Sequence, residues 1–181
     1  MADDDEKQWY ALRVTYNREL KVKAELESRG VECFVPMRYS EEMRRGKVVR
    51  GLMPSVHNLI FVRMGKEEMQ EYKASTAMPV RYIMDASRNK PLVVPDRQMN
   101  NFIAVAGTND EQLIYLDPRT FHLRSGDRVR VTGGIFAGCE GVFVRIKGDR
   151  RIVVEIPGVV AVATAYVHQS LIQRISASEL G

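Results

Sequence analysis

The run LRSGDRVRVTGGIFAGCEGVFVRIKGD, residues 123–149, constrains the fold more than any other part of the chain. A polar turn, Ser125-Gly126-Asp127, opens Arg128-Val129-Arg130-Val131, where charged and apolar side chains alternate with the period of two that a strand imposes. Gly133-Gly134-Ile135-Phe136-Ala137-Gly138 follows, and Gly141 launches a second alternating segment, Val142 to Ile146. A phosphate-cradling glycine loop feeds a helix N-terminus; this one feeds a valine-rich strand, so it reads as a turn. Further short strands are expected at 151–156, 160–166 and 171–175. Five short strands so closely spaced predict a small closed or nearly closed barrel.

The first part of the chain has a different rhythm. Gln8 to Val14 alternates as a strand, with Tyr10, Leu12 and Val14 on one face and Trp9, Ala11 and Arg13 on the other. Asn17 is expected to cap a helix that runs to about Arg29, buries Val22 and Leu26, and stops at Gly30. Val31 to Val35 is a second strand. Residues 38–51 are polar and basic around Arg45-Gly46-Lys47, which reads as a hairpin tip. The strand Leu59-Ile60-Phe61-Val62, a helix over 65–75 and a strand over 80–84 come next. Asp96 begins an amphipathic helix with Met99, Phe102, Ile103 and Ala106 on one face. This order, β-α-β-β-α-β and then a helix, is that of a ferredoxin-like α+β sandwich. The expected organisation is a sandwich domain over 6–106, a linker over 107–120 where periodicity fails, and a small all-β barrel over 121–176.

Composition narrows the function. The net charge is +4 over 181 residues, too mild to establish nucleic-acid binding alone. Residues 121–181 carry eight basic and five acidic side chains, so the excess sits mainly behind the linker. Cys33 and Cys139 form no paired framework and are expected as free thiols in a reducing compartment. The Asp3-Asp4-Asp5-Glu6 leader lacks the apolar core of a signal peptide. The uncharged stretch 156–173 is broken by Pro157 and Gly158 and reads as strands and turns, not as a membrane span. His57, His122 and His168 lack metal-ligand spacing, and no nucleophile elbow, Walker loop or paired-carboxylate arrangement occurs. The expectation is a cytoplasmic monomer that binds partners, with no enzymatic activity, cofactor, metal or membrane.

The segment 123–149 resembles the KOW motif of transcription and ribosomal proteins. The front half carries a second resemblance. Trp9-Tyr10-Ala11-Leu12-Arg13-Val14, the Val22/Leu26 helix, Phe34-Val35-Pro36, the Arg44-Arg45-Gly46-Lys47 hairpin and His57-Asn58-Leu59-Ile60-Phe61-Val62 follow the order of the NusG N-terminal (NGN) domain. Together they resemble the NusG/RfaH family of transcription elongation factors. The compact hairpin and Asn58 look most like its specialised members, RfaH and the UpxY-type antiterminators of polysaccharide loci.

That resemblance implies an SH3-like KOW barrel behind an NGN sandwich, and an elongation or antitermination role that suppresses pausing or termination. The NGN domain would dock on RNA polymerase through an apolar patch of Leu59 and Phe61, rimmed by Val56 and His57, with Arg13 beside it and Tyr82 nearby. Plain core packing is the competing reading of Leu59, Phe61 and Tyr82. The non-template DNA strand would pass Asn17, Arg18 and Lys21, and the hairpin residues Arg44, Arg45 and Lys47 would reach DNA or polymerase. Phe136, protruding from the barrel's glycine loop, would recruit NusE (a ribosomal small-subunit protein), the ribosome, or Rho; packing over the barrel end is the competing reading of Phe136. A ribosomal or RNA-binding KOW protein is the alternative reading, but such proteins are usually more basic and lack an NGN-like domain.

Overall fold

The computed structural model describes residues 6–120 and 126–176. Ser125, Phe121 and His122, which figured in the sequence reading, lie outside the described residues. The chain packs into two compact units. One comprises residues up to Met37 together with Leu52–Met99; the other comprises Arg38–Gly51 together with residues from Asn100 on.

The elements run in the expected order, with short additions. They are β1 (Gln8–Val14), α1 (Glu19–Ser28), β2 (Glu32–Phe34), β3 (Met37–Arg44), β4 (Lys47–Pro54), β5 (Leu59–Met64), α2 (Lys66–Ser75) and β6 (Val80–Tyr82). Then come β7 (Met84–Asp85), β8 (Lys90–Pro91), β9 (Val93–Val94) and α3 (Asp96–Ala106). In the first unit β5 and β1 are the central antiparallel pair of a sheet ordered β2-β5-β1-β6. β6 lines the end of β1 and β9 its beginning, through Val14↔Val80 and Trp9↔Val94.

Alternation along β1 and β5 sorts their side chains. Tyr10, Leu12, Val14, Ile60, Val62 and Met64 form one core with Val22 and Leu26 of α1 and Met69 and Tyr72 of α2. The other face carries Trp9, Ala11, Leu59 and Phe61, and these are buried too. A strand covered on both sides reads as an unbroken apolar run, which Leu59-Ile60-Phe61-Val62 is.

The ends of α1 show one success and one correction. Gly30 (φ +71) stops the helix, with the N–H groups of Gly30 and Val31 donating to the carbonyls of Glu27 and Leu26. Asn17 is not the cap: Arg18 occupies that position, and no side chain caps it. Asn17 is left-handed (φ +51), and its N–H donates to Asn58 Oδ1 at 3.1 Å. Glu19 turns inward and is fully buried, its Oε1 accepting from the Asn58 N–H at 3.4 Å.

In the second unit β3 and β4 form a separate two-stranded ribbon, closed by Arg45 (φ +49) and Gly46 (φ +76). Two successive left-handed residues make the tight turn whose twist suits a hairpin. The remaining strands are β10 (Ile114–Leu116), β11 (Asp127–Val131), β12 (Glu140–Ile146), β13 (Asp149–Ile156), β14 (Val160–Ala163) and β15 (Ile172–Arg174). They form one antiparallel sheet ordered β10-β14-β13-β12-β11-β15.

Two details differ from the sequence reading. Within 107–120, Ile114–Leu116 is a strand paired with Ala161–Ala163, not irregular connection. Ile114 and Leu116 pack with Val144 and Ile146 over Val153, Ala161 and Ala163. The strand expected over 160–166 ends at Ala163, because the Thr164 hydroxyl accepts the Ile152 N–H at 3.1 Å and donates to the Ala165 carbonyl. Buried Arg151 holds the edge, donating from Nη1 to the carbonyls of Gln112 (2.7 Å) and Thr164 (2.8 Å). Replacing it with Met keeps volume but orphans both carbonyls. Arg151→Met is expected to cost the second unit about 2 kcal/mol in urea unfolding.

Candidate docking and nucleic-acid surfaces

The apolar patch expected on the first unit is not a surface. Leu59 and Phe61 are both 0% exposed. Phe61 lies opposite Ala11 of β1 and Phe34 of β2, and Leu59 opposite Arg13. Trp9 and Ala11 on the same face are buried as well, so this second face of the sheet is covered there. The polymerase-contact role assigned to Leu59 and Phe61 is therefore withdrawn.

The remaining residues of that set divide: Arg13, Val56 and His57 lie at the same end of the β1–β5 pair, and Tyr82 belongs to the opposite face of the sheet. Arg13 is exposed on the Leu59 face at the end of β1. Val56 is half-buried and His57 exposed in the turn before β5, where Asn58 adopts φ +63. Tyr82 lies across from Leu12, on the helix-bearing face, and packs against the main core. Its ring stands 5.7 Å from the Tyr10 ring, and Lys73 Nζ sits 3.9 Å over it. Burial, and then the Tyr10 ring, hold the Tyr82 phenol above its ordinary pKa.

The proposed nucleic-acid residues are accessible. Asn17, Arg18 and Lys21 are all exposed around the start of α1. Between β1 and Asn17 stands a residue that sequence reasoning passed over. Tyr16 is 80% exposed and left-handed (φ +60), with the Arg18 guanidinium 5.7 Å from its ring centroid. An aromatic in a loop before a helix looks apolar in a sequence, and only the backbone shows it turned outward. Arg81 was also missed: it is exposed and directly opposite Arg13 across β1 and β6.

Arg44, Arg45 and Lys47 are exposed at the ribbon's turn, where Arg44 pairs with Glu42 at 3.2 Å. The ribbon is more apolar than its charge implies. Tyr39, Met43, Val48 and Leu52 are exposed, and the two-residue turn places them on one face. Arg50 lies over the Tyr39 ring at 5.7 Å and pairs with Glu111.

In the barrel loop the sequence picked the wrong neighbour. Phe136 is 4% exposed, whereas Ile135 is 66% exposed. The loop folds back on itself: Gly138 N–H donates to the Val131 carbonyl at 2.8 Å, and Cys139 N–H to the Phe136 carbonyl at 3.0 Å. Gly134 (φ +80) and Gly138 (φ +83) permit that reversal. The chain direction then points Phe136 inward and Ile135 out.

Neither thiol is activated. Burial, followed by the nearby Glu27 carboxylate, pushes Cys33 up to about 11; burial, then Glu140, pushes Cys139 up to about 12. Both stay protonated at neutral pH, so a thiol reagent is expected to label Cys33 slowly and Cys139 only after unfolding. Among the described residues, no group of three or more His, Cys, Asp or Glu side chains is placed to hold a metal ion. No helix among them is long and apolar enough to cross a membrane.

A family model described as "Transcription termination factor nusG" matches residues 7–103. A solved structure, "Domain interaction in Thermotoga maritima NusG", is 24% identical to this chain, with a TM-score of 0.47, over 94% of this chain and 98% of that one.

Proposed function

Because the chain belongs to the NusG family of transcription factors, we propose that it binds RNA polymerase through its NGN domain and suppresses pausing or termination. In this reading the domain over 6–106 faces polymerase and the one over 121–176 recruits, with 107–120 between them lending Ile114–Leu116 to the second sheet. The family match over 7–103 carries this reading. A ribosomal KOW protein would leave that region unexplained. The work is done by binding in the cytoplasm, with no chemical step assigned to any residue.

With Leu59 and Phe61 buried, the polymerase contacts are Arg13, Val56, His57 and the exposed part of Tyr82. Asn17, Arg18 and Lys21 meet the phosphates of the non-template strand. Arg44, Arg45 and Lys47 give the ribbon its attraction to DNA. Phosphate contacts of this kind tolerate any sequence and weaken with salt. The compact Arg45-Gly46 turn and Asn58 support a specialised paralogue serving a polysaccharide-type operon.

The test is retention on immobilised core RNA polymerase. The unmodified chain is expected to bind, and an Arg13→Glu/His57→Glu variant, altered only at exposed positions, to bind at least about tenfold more weakly. A folded chain that polymerase does not retain would refute the proposal.

On the barrel, Ile135 replaces Phe136 as the anchor for NusE, the ribosome or Rho. An apolar side chain held out by glycines is a frequent binding anchor. Ile135→Ala is expected to leave the melting temperature unchanged and to weaken capture of purified NusE or Rho about tenfold. Unchanged capture of both would place the recruiting surface elsewhere.

A further inference from the structure

We propose that Tyr16 is a stacking platform for an unpaired base of single-stranded nucleic acid. The proposal deepens the reading of Asn17, Arg18 and Lys21 as strand contacts and rests on it.

Tyr16 has the highest exposure of any large apolar side chain among the described residues, at 80%. It is also firmly held. Tyr16 and Asn17 are both left-handed, a conformation that asparagine tolerates but that a bulky residue such as tyrosine adopts only under constraint. The surrounding backbone imposes it. Asn58 accepts the Val14 N–H on its carbonyl (3.0 Å) and the Asn17 N–H on its side chain (3.1 Å). Thr15 N–H donates to the Pro79 carbonyl (3.3 Å), and Asn58 is itself fixed by buried Glu19. The result is a ring presented to solvent on a rigid loop, with a guanidinium at its side.

The charges around it are unbalanced. Arg18 and Lys21 are exposed and have no ion pair among the described residues. The same holds for Arg13 and Arg81, which face each other across adjacent strands at this end of β1. Like charges directly opposite destabilise a sheet, and a phosphate beside this pair would relieve that repulsion. Glu19, the acid nearest in sequence, is turned into the core. An exposed aromatic flanked by free cations fits a single strand, whose bases offer their faces while its phosphates follow the charges. A duplex hides those faces within its stack.

The test uses the full chain and fluorescein-labelled oligodeoxynucleotides of mixed sequence at low salt. The probes are a single strand, the same strand with abasic sites, and the duplex. Tyr16→Asn removes the ring but suits the left-handed backbone, and Tyr16→Trp keeps a stacking surface. Tyr16→Asn is expected to weaken single-strand binding by about 5- to 100-fold, with little change for the abasic strand or the duplex; Tyr16→Trp is expected to bind like the unmodified chain. Arg18→Ala/Lys21→Ala is expected to weaken all three probes and flatten the salt dependence. If that charge variant loses affinity while Tyr16→Asn does not, stacking is overturned and the strand-contact reading stands. If the unmodified chain binds no single strand, both fall. If Tyr16→Asn lowers retention on polymerase but not on DNA, the ring serves a protein contact and the proposal is overturned.

Discussion

Phe61→Ala is expected to lower the unfolding free energy of the first unit by about 3–5 kcal/mol, the cost of emptying a large aromatic site in a closed core. Phe61 has no exposed surface and sits between Ala11 and Phe34 in the sheet register. Ala11 is too small to fill the void, so the cavity term adds to the lost transfer energy. Urea unfolding followed by Trp9 fluorescence reads this directly, since Trp9 shares the Phe61 face and is itself buried. Leu59→Asp is expected to be worse, because it places a carboxylate where no water reaches. His57→Ala, at an exposed position, is the comparison and is expected to shift stability by less than about 0.5 kcal/mol. A Phe61→Ala protein as stable as the unmodified chain would show that this face opens in solution. The docking role first read for Leu59 and Phe61 would then have to be restored. The same burial means that a loss of polymerase binding in Leu59→Asp reports unfolding, which is why the docking test relies on Arg13 and His57.

The layout was legible because period and punctuation both pointed the same way. Val22 and Leu26 lie four apart on α1, Gly30 ends it, and the β12 and β13 alternation appears as strands close to where it was read. Short segments were harder. Ile114-Tyr115-Leu116 is three residues, too few for alternation to register, and it becomes a strand only because β14 offers an edge. The Asn17 cap failed because Asn also favours left-handed turns, and the Asn58 side chain, forty-one residues away, claims its N–H.

Surface assignment was less legible for a related reason. Whether Leu59 and Phe61 face solvent depends on what covers the second face of the sheet, and strand alternation cannot report that. Ile135 and Phe136 are adjacent in a loop without periodicity, so composition favoured the larger aromatic; the Gly138 and Cys139 hydrogen bonds decide otherwise. The charged positions fared better. Arg18, Lys21, Arg44, Arg45 and Lys47 are all exposed, because burying an unpaired charge is costly and the sequence alone announces it. Arg151 and Glu19 are the exceptions: Arg151 is buried with two carbonyls as acceptors, and Glu19 with the Asn58 N–H donating to it.

Gly141→Ala is expected to cost the barrel about 3 kcal/mol, at the upper end of overpacking effects. The sequence offers Gly141 only as the start of a strand. The structure gives it a steric reason. A methyl there would stand 2.4 Å from the Val153 carbonyl oxygen and 2.7 Å from Ile152 Cγ2. The Ile152 methyl has little freedom of its own, since that side chain is fully buried, and the carbonyl belongs to the backbone of β13. Relief therefore requires β12 and β13 to separate where Val142 pairs with Val153. Gly138 makes the contrast. It is left-handed at φ +83 with nothing within 4 Å of an added methyl, so Gly138→Ala meets only backbone strain and is expected to cost about 1 kcal/mol. Thermal melts of the two variants rank them, and amide exchange locates the damage: early loss of protection at Val153 in Gly141→Ala, but not in Gly138→Ala. Equal melting temperatures for Gly141→Ala and the unmodified chain would mean that the two strands are not packed this closely in solution.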